Sequence, residues 1–322
     1  MQSMNKVEKT KKSLYILTEG QTEHAYFSRI KEIMGDEDDW RYSVTVDVRE
    51  IVKGSKTDPF NMVKEAKKNL RIYDEVWVVF DKDRERDDEN LKAFELAEKS
   101  KISVAYSSIS FEQWILLHFE RSIKPFERSD CESRKQPCIC NGEKCALTYI
   151  KQNHYPNYVK GRAKLYDELV GLQYVALEYA AWLKWHNGFN PNFLLMNPYT
   201  DVDVLVAYLL ELPTIQFVNL NTEFKFDHVS LYIIDLTIQV EKVSVTFLVT
   251  NNSNNSWVFN NSQTNMILLD KDNKEVNYRI PRIVICSQGE SKEATIEFPI
   301  NDDFVASRLK FFTPKEIVYF EL

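Results

Sequence analysis

Two apolar runs near the start of the chain end abruptly in acids, and they limit the folds open to it. Leu14, Tyr15, Ile16 and Leu17 run into Glu19 and Gly20 within SLYILTEGQTE; Val76, Trp77, Val78, Val79 and Phe80 run into Asp81, Lys82 and Asp83 within EVWVVFDKD. Unbroken apolar runs of this length suit strands covered on both faces, as in a parallel sheet. A helical period covers Thr22 to Met34, with Tyr26, Phe27, Ile30, Ile33 and Met34 on its apolar side, and Tyr42 to Val48 alternates as a second strand. Asp58-Pro59 supplies the cap and first position of the next helix, whose apolar face is Phe60, Val63, Ala66 and Leu70. Asp88 opens a helix through Lys99, Ile102 to Tyr106 makes a fourth strand, and Ser110 caps a helix over Phe111 to Glu120. The β-α-β-α-β-α-β-α order predicts right-handed crossovers and an α/β domain built on a mainly parallel sheet flanked by helices.

Further along, the texture changes twice. Residues 121–162 are polar, hold four cysteines and show little apolar period, so they read as an insertion. Helical character returns from Arg162 to Asn187, and Thr200 or Asp201 opens a last helix that Pro213 ends. From residue 227 onward, short β-rich segments such as VSLYIIDLTIQV and KVSVTFLVTN alternate with Asn, Ser, Asp and Gly turns. That spacing predicts a C-terminal all-β, Ig-like sandwich over 227–322, joined by a linker at 213–226 to the domain of residues 1–212.

The net charge of −7 makes the whole molecule no obvious polyanion binder, although a local basic groove is compatible with it. No apolar stretch reaches the ~18 residues a membrane helix needs, and the basic leader lacks the apolar core of a secretory signal. A cytoplasmic protein without membrane attachment is expected.

Chemistry concentrates at the strand ends. In open α/β sheets ligands bind beyond the carboxyl ends of the strands, where strand order reverses. Glu19, Asp81 and Asp83 are therefore expected at one edge, the two aspartates as hard oxygen ligands for Mg2+ or Mn2+ and Glu19 as a further ligand or the general base. Gly20 is expected to permit a sharp turn and the close approach of a phosphate. A plainer alternative makes Glu19 a helix cap and DKDRERDD a solvated loop. Glu112, near a helix start, reads equally as a second acid of the site or as a favourable charge at a helix N-terminus; His118 reads as a structural hydrogen-bonder. Lys82, Arg84, Arg86, Lys160, Arg162, Lys164, Arg134 and Lys135 offer phosphate contacts, and Tyr155 and Tyr158 offer stacking surfaces. Interleaved acids make an ordinary solvated surface an equal alternative. Cys131, Cys138, Cys140 and Cys145, with His154 beyond, suit a structural Zn2+ in a segment with no core of its own, the alternative being a reduced, metal-free loop.

TEGxTE after a first strand and DxD after a third resemble the Toprim metal site. SFEQWILLHF at Ser110–Phe119 and NPYTDVDVLVAYL at Asn197–Leu209 sharpen this into a resemblance to the RloB-like (AbiLii-related) family over residues 12–212. The resemblance implies a Toprim-like fold and a magnesium-dependent nuclease of bacterial antiphage defence, acting on DNA or RNA. Glu19, Asp81 and Asp83 match the metal-binding acids, and Glu23 stands where related enzymes place another acid. Gly20, Lys82, Arg84 and Lys160 are expected to bind substrate. A defence-system partner protein and a homo-oligomer are both compatible with the sequence. The rival expectations are a non-catalytic sensor or scaffold whose sandwich binds a protein, and an enzyme using the same metal site on a small nucleotide. The absence of a GxxxxGK[ST] loop weighs against an NTPase.

Overall fold

The structure is a computed structural model. It describes residues 11–37, 39–48, 58–82, 87–130, 140, 142–188, 193–226, 228–259, 266–280, 283–301, 303–313 and 315–322. Two compact units divide the chain, Met1–Leu212 and Pro213–Leu322.

In the first unit β1 (Lys12–Thr18), β2 (Tyr42–Val48), β3 (Glu75–Asp81), β4 (Ser103–Ser108) and β5 (Tyr199–Thr200) form one sheet in the order β2-β1-β3-β4-β5. The first four strands are parallel, and β5 runs antiparallel to the end of β4. Strand order thus reverses between β1 and β3, the two runs that end in acids.

Both faces of these strands are covered, which is why their sequences are continuous rather than alternating. Tyr15, Leu17, Val76, Val78 and Phe80 pack with Met62, Val63 and Ala66 of α2 (Pro59–Ala66) and with Ala93 and Ala97 of α3 (Asp87–Ser100). The residues of opposite parity, Leu14, Ile16, Trp77 and Val79, are buried as well. Each such side chain contributes roughly 1.5–3 kcal/mol when fully buried. Asp58 caps α2 as expected, its carboxylate accepting from the Asn61 N–H at 2.8 Å.

Three helix expectations need correction. The helix after β4 is α4 (Glu112–Leu117), shorter than Phe111–Glu120, and no side chain, Ser110 included, caps it. All six of its residues are buried, so it is held by packing rather than by its ends. The long helix expected from Arg162 to Asn187 is broken into α6 (Leu165–Leu169), a 3-10 turn Val170–Leu172 and α7 (Gln173–His186). Gly171 lies in that break, where its weak helix propensity tells. The last helix, α8 (Val202–Leu209), ends at Leu209, short of the expected stop at Pro213, and starts with the Val202 N–H donating to Thr200 Oγ1 at 3.2 Å. Lys184 of α7 reaches its start, with Nζ 2.7 Å from Asp203 and 3.3 Å from Asp201. One further helix, α5 (Ala146–Asn153), lies between α4 and α6 in the chain, and α1 spans Gln21–Gly35.

The second unit is all β. Its sheets are β12-β11-β15-β16-β6, β14-β9-β8-β7 and β10-β13. The strands are β6 (Thr214–Val218), β7 (Phe224–Phe226), β8 (Val229–Ile238), β9 (Lys242–Asn251), β10 (Trp257–Phe259) and β11 (Met266–Asp270). The remaining five are β12 (Glu275–Asn277), β13 (Val284–Cys286), β14 (Ser291–Pro299), β15 (Ala306–Phe312) and β16 (Glu316–Glu321). Phe247, Phe259, Leu268, Ile296, Phe298 and Leu309 are at the centre of its core, which also takes in Cys286. Residues 213–226 are not a plain linker: they hold β6 and β7, and β6 pairs parallel to β16. Phe217 anchors β6 by complete burial, stacked on Tyr319. Among the described residues no helix is long and apolar enough to cross a membrane.

Candidate functional site

The parallel register brings the acid-terminated strands side by side, with Thr18 opposite Val79. Just past that pair the Glu19 N–H donates to the Val79 carbonyl at 2.9 Å. The Glu19 side chain then turns across, and its Oε2 accepts the Asp81 N–H at 3.1 Å. Thr18, fully buried, holds the turn from the other side, its hydroxyl donating to the carbonyls of Asp47 and Gly20.

A cleft of about 270 Å³ opens here, lined by Glu19, Gly20, Thr22, Glu23, Asp81, Phe111, Glu112, Lys160 and Gly161 among others. It lies at the C-terminal edge of the sheet, at the point where strand order reverses, as α/β topology requires. Four of the five expected catalytic acids meet there.

Gly20 does not use the conformational freedom expected of it at a sharp turn. Its φ of −119° is ordinary extended backbone. A larger residue would press on the Glu23 carboxylate: a Cβ there would fall 2.5 Å from Glu23 Oε2, so that side chain would have to shift. Gly161 is the glycine whose conformation matters, with φ +69°. Its N–H donates to Thr22 Oγ1 at 3.0 Å, tying the Lys160 backbone to the first turn of α1.

The electrostatics separate the acids into two kinds. Burial pushes the Glu23 carboxyl up to about 7, and the charges of Glu112 and Glu19 add to the rise. Burial likewise holds Asp81 well above the usual carboxylate range, reinforced by Glu23, Glu19 and Glu112. For Glu112 burial acts in the same direction but loses: Lys160 and the hydroxyls of Ser129 and Ser110 bring it below its ordinary value. Glu112 is only 1% exposed, yet both its oxygens are engaged. Oε1 accepts from Tyr158 Oη at 3.0 Å and pairs with Lys160 Nζ at 3.1 Å, and Oε2 accepts from Ser129 Oγ at 2.8 Å.

Several expected contacts lie elsewhere. Lys82 points away from the cleft, its ammonium donating to the Leu194 carbonyl and pairing with Asp87 at 3.2 Å. Tyr158 is no stacking surface, being fully buried with its hydroxyl on Glu112. His118 is structural as expected: its Nδ1 lies 3.0 Å from the Trp114 carbonyl, and burial lowers its pKa to about 4. His154 is taken up by Glu120, 3.0 Å from its Nε2. Asp83, Arg84, Cys131 and Cys138 lie outside the described residues. Of the cysteines that are described, Cys140 and Cys145 are not in disulfides, and their sulfurs are 3.5 Å apart. Ser129 and Thr22 went unassigned by sequence reasoning, because nothing in an isolated hydroxyl residue signals the partner the fold brings to it.

The carboxylate oxygens suit a hard divalent cation by chemistry and by their surplus of negative charge. Among the described residues, however, no group of three or more His, Cys, Asp and Glu residues converges closely enough to hold an ion.

An α/β unit with an acidic cleft at its strand-order reversal, followed by an all-β unit, defines the class of protein. The RloB-like protein family model matches residues 14–209, and the chain belongs to that family. No curated protein matches the chain. Among solved structures, the yjhA protein of Bacillus subtilis is 14% identical, covering 32% of this chain and 98% of its own, with a TM-score of 0.26. The Pseudomonas fluorescens alkylpurine DNA glycosylase AlkC, bound to DNA containing an abasic site analog, is 9% identical over 83% of this chain and 78% of its own, with a TM-score of 0.22. Neither likeness is close enough to bear on fold or activity.

Proposed function

We propose that the chain is a divalent-metal-dependent nuclease that hydrolyses phosphodiester bonds of nucleic acid in bacterial antiphage defence. Membership of the RloB-like family is consistent with a defence-related role. In this reading the α/β unit is a Toprim-like domain and the all-β unit an Ig-like sandwich. The observation that carries it is the gathering of Glu19, Glu23 and Asp81 in one cleft at the β1–β3 reversal. Burial and like charge hold Glu23 and Asp81 toward their protonated forms, a cost that a bound cation relieves. Glu19, Asp81 and Asp83 would hold Mg2+ or Mn2+. When bound, such an ion polarises a phosphoryl oxygen and offsets charge on the leaving oxygen. Glu23, with a pKa near neutrality, is suited to exchange a proton with the attacking water.

Cys140 and Cys145, with Cys131 and Cys138, form a structural Zn2+ site in this reading. A tetrahedral thiolate site with bonds of about 2.3 Å sets its sulfurs at separations comparable to the 3.5 Å between Cys140 and Cys145.

The test is cleavage of tRNA, plasmid, single strands and free nucleotides with Mg2+ or Mn2+. Wild type should cut a nucleic acid and Asp81→Ala should not, while keeping its melting temperature. A fully active Asp81→Ala protein would defeat the assignment. A second reading, a catalytically silent scaffold whose sandwich binds a protein partner, draws on the lack of a converged three-ligand group among the described residues. Calorimetry showing no Mg2+ or Mn2+ binding would favour it.

A further inference from the structure

An acid-lined cleft repels the phosphates it is meant to receive, so a fixed positive side chain beside the proposed metal site favours their approach. Among the described residues lining the cleft, Lys160 is the one cation. Lysine is ordinarily a flexible point charge. Here it is held at both ends. Gly161 ties its backbone to Thr22, and its ammonium meets Glu112 Oε1 at 3.1 Å and donates to Ser129 Oγ. Glu112 is itself clamped by Tyr158 and Ser129. An ammonium carries three donors, so these two bonds do not exhaust it.

We propose that Lys160 is the phosphate-contacting cation of this cleft, and that Glu112 is its positioning residue, held by Tyr158 and Ser129, rather than a metal-side acid. The proposal deepens the nuclease reading and rests on it for the identity of the substrate. Glu112 fits this role because its oxygens are already spent on Tyr158, Ser129 and Lys160. Lys160 then offers its charge to the non-bridging oxygens of the phosphate, a contact that involves no proton transfer.

The experiment compares full-length wild type with Lys160→Gln, Lys160→Arg, Glu112→Gln and Tyr158→Phe. It measures cleavage and, separately, anisotropy of fluorescein-labelled single-stranded DNA and RNA oligonucleotides across a salt series with Ca2+ in place of Mg2+. Lys160→Gln should lower kcat about 100-fold, the scale of losing one preorganised charge contact, and flatten the log–log salt slope by about 0.7, one single-strand phosphate. Lys160→Arg should restore the slope. Tyr158→Phe should lower kcat about tenfold at unchanged melting temperature, a loss on the scale of one hydrogen bond, and it stands in for Glu112→Gln should that variant not fold. Unchanged slope and rate in Lys160→Gln overturn the proposal. Unchanged rate in Tyr158→Phe and Glu112→Gln, with Lys160→Gln impaired, overturns the positioning half. If wild type cuts nothing, the nuclease reading fails, and the salt slope still decides for or against Lys160. A wild type that binds neither oligonucleotide overturns the proposal too.

Discussion

The Asp81 N–H donates to Glu19 Oε2 at 3.1 Å, so an acid at the end of one strand is bonded to the backbone at the end of its neighbour. Sixty-two positions separate the two residues in sequence, and the parallel pairing of β1 with β3 makes them adjacent. The cleft is built on that relationship.

Gly20→Ala should act through Glu23 and not through the backbone, since φ −119° suits any residue while the new methyl would sit 2.5 Å from Glu23 Oε2. We expect about 1–2 kcal/mol of destabilisation, in the range of overpacking, and at least a tenfold loss of any cleavage. In a Glu23→Ala background the same substitution should cost almost nothing. Denaturant melts of the four proteins form the double-mutant cycle that checks it.

Protonation of Glu23 links stability to pH. Its folded pKa of about 7 is raised above the unfolded value of 4.5, so its contribution is full below pH 4.5 and is lost as pH rises through 7. The scale is on the order of 3 kcal/mol. His118 opposes it: with its pKa lowered to about 4, it costs stability as pH falls from 6.5. The informative quantity is therefore a difference. Without divalent ions, Glu23→Gln should gain stability on wild type between pH 5 and 8, and Mg2+ should narrow the gap. Equal pH profiles for the two proteins would remove Glu23 from the linkage. Glu19, Asp81, Glu112 and Lys160 surround it, and Glu23→Gln also removes the Glu23 charge that helps raise Asp81, so the difference reads Glu23 together with its effect on that neighbour.

Lys184→Met should unfasten α7 from the start of α8. It leaves Asp203, 9% exposed, without the ammonium now 2.7 Å away, and Asp201 without its partner at 3.3 Å. Removing one member of a buried pair costs roughly 3–5 kcal/mol. Chemical denaturation should show most of that loss, and a change under 1 kcal/mol would mean the pair is effectively solvated.

Purified protein should carry about one zinc per chain, the stoichiometry of a single structural site. Cys140→Ser and Cys145→Ser should each lose it. Because Ala146 and Leu147 donate to the carbonyls of Arg128 and Ser129, removal of the metal should also loosen Ser129 and lower activity. Elemental analysis without zinc would leave a reduced, metal-free cysteine loop.

The sequence by itself determined the strands and their acid ends. Continuous apolar runs at Leu14–Leu17 and Val76–Phe80 could be buried only on both faces, and a parallel sheet does that. Those acids end strands that pair in parallel, so Glu19 and Asp81 share one edge of the sheet. Local chemistry also placed the Asp58 cap, since a cap is made by residues three apart. What only the tertiary structure decided is which long side chain turns where. Lys82 and Lys160 look alike in sequence, yet one is drawn to Asp87 and the Leu194 carbonyl while the other enters the cleft. Tyr158 could as well have stacked in solvent as supported Glu112, and β6 pairs with β16, about a hundred residues away. These outcomes depend on contacts between distant segments, and a side chain's charge or aromaticity carries no record of the neighbour the fold will bring to it.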